Sequence, residues 1–253
     1  MDSIVFEKNY EIRSYDTGID GKLRPDALLG YLQDIAGFHA SILGVGRDEL
    51  LEKNRFWALV RIICIMKETP GWNEILKIKT WPRSIERILA IRNFLICNEK
   101  GVALGEASSS WVIVDAASRR PLKPEAFLAE LGKEDPYKDF SCPLAAKLPP
   151  AGAKVYNSPV KSVRYSDLDV NMHVNNAKYL QWVIDSYPLD FLRKHEARVI
   201  EANYNSESTA GEDYIVSSEE KGSSFFHSIL KTNDSKESCR FRIEWRSGVN
   251  RKV

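Results

Sequence analysis

The sequence predicts an α+β protein in which one plan, a long helix wrapped by a curved antiparallel sheet, is made twice. Three observations carry this expectation. Helical spacing of apolar residues occurs in two stretches, 24–43 and 176–187, each set among strand-like runs. The order strand, helix, four strands recurs on both sides of a proline-rich stretch at 134–159. The two starts also answer each other at an offset of 150 residues, with Tyr15-Asp-Thr-Gly-Ile-Asp20 matching Tyr165-Ser-Asp-Leu-Asp169 loosely.

In chain order, a strand is expected over 4–12, and Pro25 then suits a first helical position because its missing N–H is not needed there. Leu28, Tyr31, Leu32, Ile35, Ala36, His39, Ile42 and Leu43 form one face before Gly44 closes the helix. A short helical piece at 48–53 leads to strands at 56–66 and 75–81, with Thr69-Pro-Gly-Trp72 turning between them. Strands at 87–97 and 102–114 follow, joined by Asn98-Glu-Lys-Gly101, and then a short helix at 124–131. The first unit is thus 1–133. Five of the eleven prolines (Pro136, Pro143, Pro149, Pro150, Pro159) mark 134–159 as a linker and the start of the next strand, itself expected over 153–165. The second unit, 160–253, has its helix at 176–187, capped by Asn175 or Asn176. Ala177, Leu180, Val183, Ile184 and Tyr187 are at helical spacing until Pro188. Strands are expected at 197–207, 213–220, 224–232 and 238–246.

Composition narrows the function classes. A chain of 253 residues, 43% hydrophobic, can bury a sizeable core. Thirty-six basic against thirty-five acidic residues, net +1, ask for neither nucleic acid nor an anionic membrane surface. No apolar run approaches the roughly 20 residues of a membrane span, so no stable membrane association is expected. The chain starts strand-like without a leader, which predicts a cytoplasmic address. The four cysteines are scattered with no CxxC pair and read as reduced. His39, His173, His195 and His227 have no metal-site spacing. Asp167-x-Asp169-x-Asn171 begins like a calcium loop, but Met172 stands at its glycine position and Lys178 at its closing glutamate. No metal is expected.

Chemistry concentrates just before the second helix. Asp169, Asn171 and His173 stand at alternate positions there, and a helix start offers unpaired N–H groups and a partial positive charge to an oxygen gathering negative charge. At the 150-residue offset the first copy has Gly21 and Leu23 in place of Asn171 and His173. The second half is therefore read as chemical and the first as scaffold or pocket.

The stretch Ser166-Asp-Leu-Asp-Val-Asn-Met-His-Val-Asn-Asn-Ala-Lys-Tyr179 resembles the active-site segment of the plant and bacterial acyl-carrier-protein thioesterases. The resemblance extends through Tyr31-Leu-Gln-Asp-Ile-Ala36, the Trp57 strand, Gly71-Trp72-Asn-Glu and Trp111-Val-Ile-Val-Asp-Ala-Ala-Ser-Arg-Arg120. It implies a double hot-dog enzyme, with the first unit as acyl-chain pocket. That enzyme would hydrolyse the thioester between a fatty acyl chain and the phosphopantetheine arm of acyl carrier protein, with no cofactor of its own. Asp169, Asn171 and His173 match the family's functional residues, and Glu207 falls where the family has its catalytic Glu. Ser208 stands where the plant enzymes have Cys, so a Cys nucleophile is absent and attack by water is expected, with Ser208 at most a hydrogen-bonding neighbour. Asn175, Asn176, Ser208 and Trp57 are the substrate-side candidates. The general base is open between Glu207 and His173, with Asp169 setting the orientation of the imidazole. An acyl-CoA thioesterase and a non-catalytic acyl-binding protein are the alternatives. The assembly state is also open, a homodimer included.

Overall fold

The computed structural model describes residues 4–124, 137, 142–152 and 156–248. The chain divides into two compact units, Met1–Leu23 with Leu28–Ala145 and Arg24–Ala27 with Ala146–Val253.

The first unit contains β1 (Phe6–Glu11), α1 (Pro25–Ile42) from Leu28 on, α2 (Arg47–Leu51), β2 (Arg55–Met66), β3 (Ile75–Glu86), β4 (Leu89–Asn98), β5 (Ala103–Asp115) and β6 (Pro121–Leu122). Its strands are antiparallel in the order β1-β3-β4-β5-β2, with β6 on β5. Helix α1 buries Leu28, Leu32, Ile35, Ala36 and His39 of the expected stripe and Leu29 besides it, while Tyr31 is half-buried and Ile42 at its end is exposed. Gly44 ends the segment at φ +71°, a conformation that costs glycine nothing. Strand β3 runs past its expected end at Trp81. Pro82 cannot donate to a ladder, and the strand accommodates it by shifting register between Pro82 and Ser84 and continuing to Glu86. The helix expected at 124–131 lies, from 125 on, outside the described residues.

The second unit contains β7 (Tyr156–Asn157), β8 (Lys161–Ser162), α3 (Asn176–Ile184), α4 (Leu189–Leu192), β9 (His195–Tyr204), β10 (Asp213–Lys221), β11 (Ser224–Lys231) and β12 (Glu237–Ser247). Its order, β9-β12-β11-β10-β7 with β8 also on β10, repeats β2-β5-β4-β3-β1 element for element. Three expectations change. Of the strand expected at 153–165, residues 153–155 lie outside the described residues, and the rest holds two short pieces, β7 and β8, separated by a stretch that includes Pro159. Helix α3 spans nine residues against eighteen in α1, because Ser186 turns its hydroxyl and its N–H onto the Val183 carbonyl and Pro188 opens α4. Strand β9 stops at Tyr204, which leaves Glu207 on a loop.

The two copies match at an offset of 151 residues, not 150. The 3-10 turns Ser14–Asp16 and Tyr165–Asp167 correspond, as do the bridges Thr17 to Leu23 and Leu168 to Val174, and Lys22 to Gly71 and His173 to Thr209. In this frame Gly18, Asp20 and Lys22 stand opposite Asp169, Asn171 and His173.

From Ala146 to Gly152 the proline-rich segment is a strap laid across four strands of the second sheet. Glu201 and Asn203 on β9 accept the N–H groups of Ala146 and Leu148, and Arg240 on β12 donates to the Leu148 carbonyl at 2.7 Å. Ser228 on β11 and Glu219 on β10 accept those of Ala151 and Gly152. Prolines cannot pair as strands do, so buried polar side chains of the sheet satisfy the segment instead.

Two histidines are sealed in the units. His227 is buried with Nδ1 at 2.8 Å from Ser218 Oγ and Nε2 at 2.8 Å from Tyr187 Oη, and burial pushes its pKa down to about 3. His39 receives the Arg92 guanidinium at Nδ1, 2.9 Å away; burial first and the Arg92 charge second lower its pKa to about 4. Both are depressed below the unfolded value near 6.5. The unfolded chain therefore binds more protons, and stability is full above about pH 6.5 and falls as the pH drops toward 4. Urea unfolding at pH 7 and pH 5 should differ by roughly 2 kcal/mol per buried histidine. His227→Gln should remove about half of that pH dependence, and an unchanged slope in the variant would refute the assignment.

Candidate active site

The segment 167–175 folds back on itself as a tight loop. Asp167 opens it by accepting the Arg164 N–H on its carboxylate, and its carbonyl accepts the Asn175 N–H at 2.8 Å. Leu168 bridges Val174, and the Asp169 N–H donates to the His173 carbonyl at 2.8 Å. Asp169 Oδ1 accepts the N–H groups of Asn171 at 2.8 Å and His173 at 3.4 Å, an Asx-type brace that lets Met172 take φ +62° at the tip. Among the described residues, the Asp169 carboxylate reaches His173 through its main-chain N–H and not through the ring. The carboxylate thus shapes the loop that presents the imidazole. Asn171 is exposed beside it, its Nδ2 3.5 Å from Asp169 Oδ2.

Glu207 comes from the loop that follows β9. Val174 donates its N–H to the Ser208 carbonyl at 2.9 Å, and His173 bridges Thr209. This pairing brings His173 Nε2 to 3.4 Å from Glu207 Oε2, both side chains being partly open to solvent. Side chains alternate along the paired segments. Glu207 therefore faces out with His173, while Ser208 is buried and shares a 2.9 Å hydrogen bond with Ser238 Oγ. The loop is further held by Asn205 and Ser206, whose N–H groups donate to the Ser238 carbonyl.

At the helix start the two asparagines take separate places. Asn175 is the cap, its Oδ1 accepting the Ala177 N–H at 2.9 Å, and its carbonyl takes the Lys178 N–H. These two donors are therefore committed within the helix. Asn176 is the first helical residue, and its carbonyl accepts the Tyr204 hydroxyl at 3.2 Å. Trp57 lies in the first unit, where its indole N–H donates to the Val45 carbonyl at 2.8 Å and its ring packs on the cluster formed by Val45 and Ile113.

Three features of the second unit had no signal in the spacing of residues. Lys231 and Glu212 form a largely buried ion pair at 2.8 Å behind the Glu207 loop. A pocket of about 420 Å³ opens between Lys161, Arg164, Asp167, Gln181, Trp182, Asp185 and Tyr214, with Trp182 stacked on Tyr214 at 3.8 Å. Burial raises the pKa of Asp185 there.

Two copies of one helix-and-sheet topology, only the second carrying the Asp, Asn, His and Glu cluster, define a double hot-dog protein with a single polar site of this kind among the described residues. The model of the acyl-ACP thioesterase N-terminal domain matches residues 3–130 and that of the C-terminal domain residues 153–247, and the chain belongs to this family. It is 30% identical over 270 residues to the chloroplastic palmitoyl-acyl carrier protein thioesterase of Gossypium hirsutum, covering 97% of this chain and 65% of that protein. It is 26% identical to the oleoyl-acyl carrier protein thioesterase 2 of Arabidopsis thaliana, covering 99% of this chain and 79% of that one. The chain thus spans just under two thirds of the first of these relatives. Among solved structures, an acyl-ACP thioesterase from Bacteroides thetaiotaomicron superposes with a TM-score of 0.87 at 25% identity, over 96% of this chain and 98% of that one. The 12:0-ACP thioesterase from Umbellularia californica shares the fold, with a TM-score of 0.82 at 24% identity over 98% and 99% of the chains.

The capping geometry separates two neighbouring asparagines. Asn175→Ala should cost about 1 kcal/mol in urea unfolding, the usual value of an N-cap, and Asn175→Asp, which keeps a capping oxygen, no more than a few tenths. Equal losses would contradict the assignment.

Proposed function

We propose that this protein hydrolyses the thioester joining a fatty acyl chain to the phosphopantetheine arm of acyl carrier protein, releasing free acid and carrier thiol. The observation that carries the reading is the meeting of His173 Nε2 and Glu207 Oε2 at 3.4 Å, in a chain of the acyl-ACP thioesterase family. A carboxylate has two oxygens, so Glu207 can stay against His173 through Oε2 and take the proton of an attacking water at Oε1. The water oxygen bonds to the carbonyl carbon and the C=O electron pair moves to oxygen, where the exposed amide of Asn171 donates to it. On collapse the C–S bond breaks, its pair goes to sulfur, and the proton held by the Glu207–His173 pair passes to the thiolate. A thiol of reference pKa about 8.5 is a good leaving group, so this proton transfer need only be well placed.

In this reading the protein holds no cofactor, because the phosphopantetheine arrives with the substrate. The first unit, with Asp20 and Lys22 where the second has Asn171 and His173, is assigned the acyl tail. A reducing compartment, the cytoplasm, is the proposed setting, supported by Cys64, Cys97, Cys142 and Cys239, all buried free thiols.

The test offers the same acyl group on carrier protein and on CoA and follows both thiol and free acid. Higher kcat/KM with the carrier thioester is expected; hydrolysis of the CoA thioester alone, or acyl binding without thiol release, would overturn the reading. Glu207→Ala and His173→Ala should each lower kcat roughly 10²–10⁴-fold. Ser208→Ala should stay within about tenfold of the parent, the scale of one interior hydrogen bond.

A further inference from the structure

Behind the Glu207 loop stands a cation that the proposed chemistry does not use. Lys231 ends β11 and is buried, and its Nζ donates to the Glu207 main-chain carbonyl and to Glu212 Oε1, each at 2.8 Å. The other carboxylate oxygen, Glu212 Oε2, accepts the Thr209 N–H at 2.9 Å, and Thr209 is the residue bridged to His173. One ammonium therefore ties the carbonyl at the start of the 207–212 turn to the side chain at its end. Taking a lysine and a glutamate out of water costs several kcal/mol before they attract each other, so such a pair is a poor way merely to add stability. It is an effective way to fix geometry.

The first copy supplies an internal control. Leu23 donates its N–H to the Pro70 carbonyl as Val174 does to that of Ser208, so Thr69 stands where Glu207 stands. The Thr69 carbonyl is also held by a lysine at 2.8 Å, but that lysine is Lys22, at the position of His173. Pairing on the neighbouring strands sets Leu76 against Asn98 and Tyr214 against Lys231, so the strand position that carries Lys231 carries Asn98 in the first copy. Both copies clamp the same carbonyl with an ammonium. In the second the clamp comes from the strand behind, which leaves the front position to an imidazole.

We propose that Lys231, with Glu212 as its counter-ion, is a positioning residue of the hydrolytic site: it holds the 207–209 turn so that the Glu207 carboxylate meets the His173 ring. The inference rests on the role given to Glu207 above and deepens it. Lys231→Met, Lys231→Arg and Glu212→Gln are compared with Glu207→Gln, each checked for folding by circular dichroism. Lys231→Met should lower kcat about 10–100-fold, as expected for a reacting group displaced by an ångström or so, with KM within about twofold. Lys231→Arg, which keeps a buried donor and the charge, should recover most of the rate, and Glu212→Gln should fall between. In a Glu207→Gln background Lys231→Met should add less than about threefold, because it acts through that carboxylate. A reading independent of turnover is the NMR shift of the His173 ring carbon Cε1, which in Lys231→Met should move toward its value in Glu207→Gln. Should the wild type fail to hydrolyse acyl thioesters, the proposed function falls, and the ring shift alone then decides whether Lys231 positions Glu207. A folded Lys231→Met or Glu212→Gln protein with unchanged kcat and ring shift, or a Lys231 effect undiminished in the Glu207→Gln background, would overturn the proposal.

Discussion

A single backbone contact, the Val174 N–H on the Ser208 carbonyl at 2.9 Å, brings the His173 ring and the Glu207 carboxylate together. It fixes the register between a loop before a helix and a loop after a strand, and through the alternation of side chains it decides which residues face out. Val174 and Ser208 go to the interior, His173 and Glu207 to the open side. A slip of one residue would bury the imidazole and expose valine, an outcome that burial of Val174 resists. Everything around the contact makes the register harder to lose. The Asp169 carboxylate braces the first loop from within, and the Ser238 carbonyl and Lys231 hold the second from behind.

The duplication separates what the scaffold needs from what the chemistry needs. Both copies keep the 3-10 turn, the tight loop, the bridge to the following loop and the strand order. At the tip the first copy has Gly21 at φ +71° and the second has Met172 at φ +62°. Glycine adopts this conformation freely, whereas a residue with a Cβ is strained there by roughly 1 kcal/mol or more, and the Asp169 bonds to Asn171 and His173 offset that strain. The first copy has Gly18 where the second has Asp169, and its loop is braced from Asp20 instead, whose Oδ1 accepts the Lys22 N–H at 3.0 Å. The fold is thus common property of both halves, and the Asp, Asn, His and Glu cluster is placed on one of them.

The sheet of the second unit is equally shaped by what crosses it. Glu201, Asn203, Ser228 and Glu219 are buried polar residues in the midst of strands, and each accepts an N–H from the strap at 146–152. A proline-rich segment brings few donors and no ladder of its own, so four strands each contribute a side chain in place of a neighbouring strand.

The sequence by itself determined the α+β plan, its repetition, the helix starts at Pro25 and just after Asn175, and the stretch from Asp169 to His173, because local periodicity and capping chemistry are written in neighbouring residues. The resemblance to the acyl-carrier-protein thioesterases added Glu207, which no spacing could tie to His173. Tertiary structure alone decided the rest. Pro82 reads as a strand end, yet pairing with β4 carries β3 past it through a bulge. The helix after Asn175 keeps its apolar spacing to Tyr187 but ends at Ile184, where the Ser186 hydroxyl bonds back to Val183. The 146–152 part of the linker is a strap, because its partners lie on strands 55 to 92 residues away. The true offset between the copies, the inward turn of Ser208 and the Lys231 clamp all follow from register between distant strands. Register is a property of pairs, and a single segment read alone carries only one member of each.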